Sequence, residues 1–127
     1  MDLLQRFGVL SAGMLLCAAQ AHACGVCVED KMAATYDHAV MQRASAEHKT
    51  VVFCEVRGAV QDARFRHAAS RVRGIDAGTV RTSSEPAALS FVVDPRVLGP
   101  EDAIAKLQDA LGPGIRLTRI MTGTSAP

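Results

Sequence analysis

The chain has 127 residues, with 14 basic and 13 acidic side chains, one tyrosine, four phenylalanines and no tryptophan. That length holds one small domain with a modest core. Balanced charge without basic runs or stacking aromatics argues against nucleic-acid binding, and no basic amphipathic helix points to a membrane surface.

Residues 1–23 read as an export signal: Arg6 gives a basic start, Val9 to Ala19 an apolar stretch, and Ala21-His22-Ala23 a small-x-small cleavage site. The apolar stretch is too short and too interrupted to span a bilayer. Cleavage after Ala23 makes Cys24 the first residue, inside Cys24-Gly25-Val26-Cys27. Cys17 leaves with the signal, so the mature chain keeps an odd set, Cys24, Cys27 and Cys54. In an exported protein that set means one disulfide plus a spare thiol, or thiols held for a metal. The expected destination is the periplasm. A lipid anchor on Cys24 is the lesser alternative, because Ala21 stands where lipoprotein signals carry a large aliphatic residue.

Residues 24–50 form a cysteine-bearing arm that runs into an expected helix reaching about Ala46. Met32, Ala33, Tyr36, Ala39 and Val40 recur at helical spacing, and Glu29 and Asp30 suit the first turn. Cys27, Lys31, Ala34, His38 and Met41 fall on the opposite face. Along an unbroken helix His38 stands about 16 Å from Cys27, too far to share one ion with it.

From Val51 the periodicity alternates between two and about 3.6. Val51 to Arg57 reads as a strand, with Val52, Cys54 and Val56 on one face and Val51 and Phe53 on the other. Asp62 to Val72 reads as a helix on Phe65, Ala68, Ala69 and Val72, stopped by Gly74. Thr79 to Ser83 is a polar strand suited to a sheet edge, and Ala88 to Val93 a strongly apolar one. Pro100 opens a helix over Glu101 to Leu111, and Ile115 to Met121 is the last strand. A polar tail occupies 122–127. The expected class is α+β: a ferredoxin-like βαββαβ antiparallel sheet over 51–121, with both helices on one face. The additional N-terminal helix is expected on the other face, where Val51 and Phe53 need cover.

The runs Gly74-Ile75-Asp76-Ala77-Gly78-Thr79-Val80, Ala88 to Pro95 and Glu101-Asp102-Ala103-Ile104 together resemble a heavy-metal-associated domain. The resemblance implies a small copper- or mercury-carrier fold across roughly Val51 to Met121. That family holds its ion with Cys-x-x-Cys in the loop after the first strand. Here the loop reads Arg57-Gly58-Ala59-Val60-Gln61-Asp62, so no ligand carries over.

The chemistry therefore falls to Cys24 and Cys27. Thiolates two residues apart close on one soft ion, copper(I) or zinc. The same motif also forms structural disulfides and performs thiol–disulfide exchange. Cys54 alternates with core valines, which suits a small buried side chain, with a further sulfur ligand as the sharper alternative. His38 and Met41, one turn apart, are weaker metal candidates and otherwise a solvated face. His67 reads as a surface residue. With no Gly-x-Ser-x-Gly elbow, phosphate-cradling loop or His-Glu-x-x-His, an enzyme is not expected. The expected function is an exported carrier or buffer for copper(I) or zinc. The alternatives are a periplasmic protein-interaction module with a structural disulfide and, third, a thiol redox protein.

Overall fold

The computed structural model describes residues 28–123. Two short helices, α1 (Val28–Thr35) and α2 (His38–Ala46), precede β1 (Thr50–Arg57), α3 (Asp62–Ser70), β2 (Ile75–Ser84), β3 (Ala87–Val93), α4 (Pro100–Leu111) and β4 (Arg116–Gly123). The strands form one four-stranded sheet in the order β2-β3-β1-β4, and every neighbouring pair is antiparallel. The class is α+β.

Alternation along β1 decides the layering. Val52, Cys54 and Val56 join Leu89, Phe91 and Val93 of β3 under Phe65, Ala68 and Ala69 of α3 and Ala103, Ile104, Leu107 and Leu111 of α4. The opposite phase, Val51 and Phe53 with Val92, packs against Ala44 of α2, with Met32, Val40 and Met41 beside it. Each face of the sheet thus carries a helical layer. The face under α3 and α4 holds the larger core, where Phe65, Phe91, Leu89 and Leu107 are fully buried.

Local signals explain most boundaries. Pro100 sits in the first turn of α4 with Glu101 and Asp102 beside it, acids placed where the helix dipole favours them. Gly112 closes α4 at φ +86°. Helix α3 stops at Ser70, two residues before the apolar spacing does; Val72 is still buried in the turn beyond it.

Strand β2 starts at Ile75 rather than Thr79 because Ile75 and Asp76 pair with Val93 and Val92 before an irregular stretch that resumes pairing at Arg81. Within that stretch the Asp76 carboxylate accepts the Gly78 N–H at 3.0 Å, and the Thr79 hydroxyl accepts the Val92 N–H at 2.9 Å. A side chain therefore satisfies the ladder donor that the bulge leaves open.

The single N-terminal helix expected up to Ala46 is corrected to two. Asp37 adopts an extended backbone, φ −131° and ψ 111°, and its carboxylate accepts the Val40 N–H at 3.2 Å, so it caps α2 instead of continuing α1. The break resets the helical phase. Met32 and Val40 still turn inward, but Tyr36 is 53% exposed, and Ala33 and Ala39 face solvent. Met41, expected on the polar face, packs on the sheet instead.

Asp37 also accepts a hydrogen bond from Arg81 Nε of β2 at 3.1 Å. The Val40 N–H and then the Arg81 guanidinium hold its carboxyl below the usual carboxylate range. A lowered folded value means that the stabilisation is present above the ordinary carboxylate pKa and is lost as pH falls through the folded value. Asp37→Ala is expected to lower the urea midpoint at neutral pH. The gap to wild type should narrow on acidification; parallel curves down to acid pH would show that Asp37 contributes nothing through its charge.

Candidate functional site

Three polar ties set the course of α1 over the sheet. Lys31 pairs with Glu55 of β1 at 3.2 Å, the Ser90 hydroxyl of β3 donates to the Thr35 carbonyl at 3.1 Å, and Asp37 pairs with Arg81 of β2. Glu55 lies near the outgoing end of β1, whereas Ser90 pairs with Phe53 in the strand's middle. Helix α1 therefore starts towards the end of the sheet at which β1 passes into the β1–α3 loop. Cys24 and Cys27, upstream of Val28, lie outside the described residues.

The other expected ligands are dispersed. His38, at the first position of α2, is exposed, and its Nδ1 lies 3.2 Å from the Tyr36 hydroxyl. Met41 is half-buried against the cluster of Ala44, Val51, Phe53 and Val92. Cys54 has no exposed surface and packs on the α3/α4 side, so the sheet stands between it and both His38 and Met41. Burial pushes its thiol up to about 12, only slightly offset by Arg119. It is a neutral, inaccessible thiol at physiological pH. Among the described residues, no group of three or more His, Cys, Asp or Glu side chains is arranged to hold a metal ion. Nor is any helix among them long and apolar enough to cross a membrane.

The loop that binds metal in the resembled family is closed by packing here. Gly58 has φ +116°, and a Cβ on it would lie 2.5 Å from the Gly114 carbonyl oxygen and 2.8 Å from Ile115 Cδ1. The turn between α4 and β4 thus sits directly on the loop. Its one carboxylate, Asp62, is engaged by the Thr82 hydroxyl at 2.9 Å and by Arg66 at 3.2 Å. Neither position nor donor chemistry suits a soft ion, so the loop does not fit the group that the resemblance implies.

One feature that sequence reading missed lies at the other end of the sheet. Arg73, Arg96 and Lys106, distant in the chain, line an open depression of about 370 Å3. Their separation left no run of charge to notice. Comparisons with protein-family models, curated proteins and solved structures returned no match.

Proposed function

We propose that the chain is an exported carrier or buffer for a soft metal ion, copper(I) ahead of zinc, and that Cys24 and Cys27 are its primary ligands. The observation that carries this reading is Cys24-Gly25-Val26-Cys27, a two-thiolate spacing just upstream of a helix tied to β1 and β3. Burial of Cys54 supports it, because the only described thiol is withdrawn from competition and the exported pair is left to act together. Zinc prefers four ligands, whereas copper(I) is satisfied by two or three thiolates, and a bare pair therefore favours copper(I). We read the βαββαβ order and the β2-β3-β1-β4 sheet as a ferredoxin-like domain. That reading accords with a divergent heavy-metal-associated ancestry in which the ligand pair has left the β1–α3 loop. His38 and Met41 are secondary ligands at most, since α1 alone is about 12 Å long and they lie beyond its far end. The processed protein would work in the periplasm, with the ion as its cargo.

The test is anaerobic titration of the reduced, exported protein with copper(I) against a chromogenic chelator, with native mass spectrometry to count ions. Wild type and Cys54→Ala should each retain one copper per chain, and the Cys24→Ser/Cys27→Ser double variant none. Copper retained by the double variant, or a pair that stays oxidised and takes up no metal after reduction, would overturn the carrier reading. The second outcome would favour an interaction module with a structural disulfide.

A further inference from the structure

The turn after α3 and the loop after β3 are built against each other. Gly74, at φ +105°, has so little room that a Cβ would lie 3.0 Å from Leu98 Cβ and 3.2 Å from Val97 Cγ1. The Asp94 N–H donates to the Gly74 carbonyl at 2.9 Å, and the Asp94 carbonyl accepts from both Val97 and Leu98 at 3.0 Å. The Asp94 carboxylate binds the Arg96 backbone N–H at 3.0 Å and its guanidinium at 3.0 and 3.1 Å, which fixes where Arg96 stands. A second open depression, of about 380 Å3, continues past Arg71 and Asp109 and shares Arg73 and Lys106 with the first. Neither Arg73 nor Lys106 has an ion-pair partner among the described residues. Beside them Val97 is 49% exposed, one of few large apolar side chains left in water.

We propose that this paired trough between the end of α3 and α4 binds an acidic peptide segment of a protein partner, one that carries an apolar residue between its carboxylates. Arg96 lines only the first depression, Arg71 only the second, and Arg73 and Lys106 line both; cations divided over two depressions suit spaced carboxylates better than a single phosphate. Val97 and Leu98 line the first depression with three of these cations and offer an apolar seat. Asp109 on the wall repels a uniformly charged polyanion such as nucleic acid. Residues 1–27 and 124–127 contain one acidic residue, Asp2, and do not match such a segment. The inference is independent of the cysteine pair.

The test uses the exported protein and a fluorescent peptide of alternating glutamate and leucine, read by anisotropy at low and high salt. Binding should be saturable and weaken with salt, and Arg73→Glu/Lys106→Glu should weaken it about tenfold or more. Arg116→Glu, an exposed charge reversal on β4, should change it less than about twofold. A glutamine-for-glutamate peptide should bind no better than to the double variant. Circular dichroism and urea midpoints confirm that the variants fold. Equal weakening by Arg116→Glu, absence of binding, or tighter binding of polyphosphate or duplex DNA in the same trough would each overturn the proposal.

Discussion

Alanine in place of Gly58 lowers the free energy of unfolding by about 3 kcal/mol. Two costs combine. At φ +116° an L side chain is strained whatever space surrounds it, and here the new methyl would meet the Gly114 carbonyl at 2.5 Å and Ile115 at 2.8 Å. Relief requires the α4–β4 turn to lift, which would disturb Ile115 and Leu117 in the larger core. Gly112 provides the control: its φ of +86° is also positive, but nothing lies within 4 Å of an added Cβ. Gly112→Ala should therefore cost about 1 kcal/mol, the backbone share alone. Urea unfolding of the two variants side by side checks this. Equal losses would show that the contact with Gly114 is not tight.

Above about pH 9 the protein loses stability through Cys54, whose folded thiol holds its proton until about pH 12. The unfolded chain releases that proton in the ordinary thiol range, so it binds fewer protons than the folded chain and stability falls with rising pH. The slope from this group approaches about 1.4 kcal/mol per pH unit, and the accumulated loss is about 3 kcal/mol near pH 11. Below the ordinary thiol range the group contributes no pH dependence. The diagnostic quantity is the difference between wild type and Cys54→Ala, in which the contributions of all other groups cancel. That difference should shrink by about 3 kcal/mol between about pH 8 and about pH 11. Parallel profiles would mean that the thiol ionises as readily inside the fold as outside it.

The parts of the fold that could be read in advance are those in which one side chain decides one thing. Alternation of Val52, Cys54 and Val56 against Val51 and Phe53 marked both faces of β1 and called for cover on each, and both helical layers are present. Pro100 and the Ile104–Leu107–Leu111 stripe marked α4 within a residue of its start. The break at Asp37 was not legible, because an acid on a helical repeat reads equally as a solvated face; only its capping of Val40 and its pairing with Arg81 separate the two. The early start of β2 was hidden for a related reason. Gly78 and Thr79 interrupt the alternation, and the Thr79 hydroxyl bridges a gap that hydrophobicity cannot register.

The candidate chemistry divides in the same way. Cys24 and Cys27 stand out by spacing alone, and Cys54 was legible as an inward residue through its valine neighbours. His38 and Met41 share a face with Lys31 only on a continuous helix, and the break at Tyr36-Asp37 resets that phase, so that within α2 Met41 turns to the sheet while His38 stays exposed. The trough at Arg73, Arg96 and Lys106 is assembled from three elements by packing at Gly74, so no linear pattern announces it.

The ties of α1 to Glu55 and Ser90, and of Asp37 just after it to Arg81, have a mechanical consequence. A pull on the chain upstream of Val28 is shared among three strands, yet each attachment is a single polar contact, and the apolar patch beneath α2 is thin beside the larger core. The helical layer should peel away as a unit at lower free energy than the sheet and the two helices behind it. Such peeling would detach Val28–Ala46 while the body of the molecule stays intact.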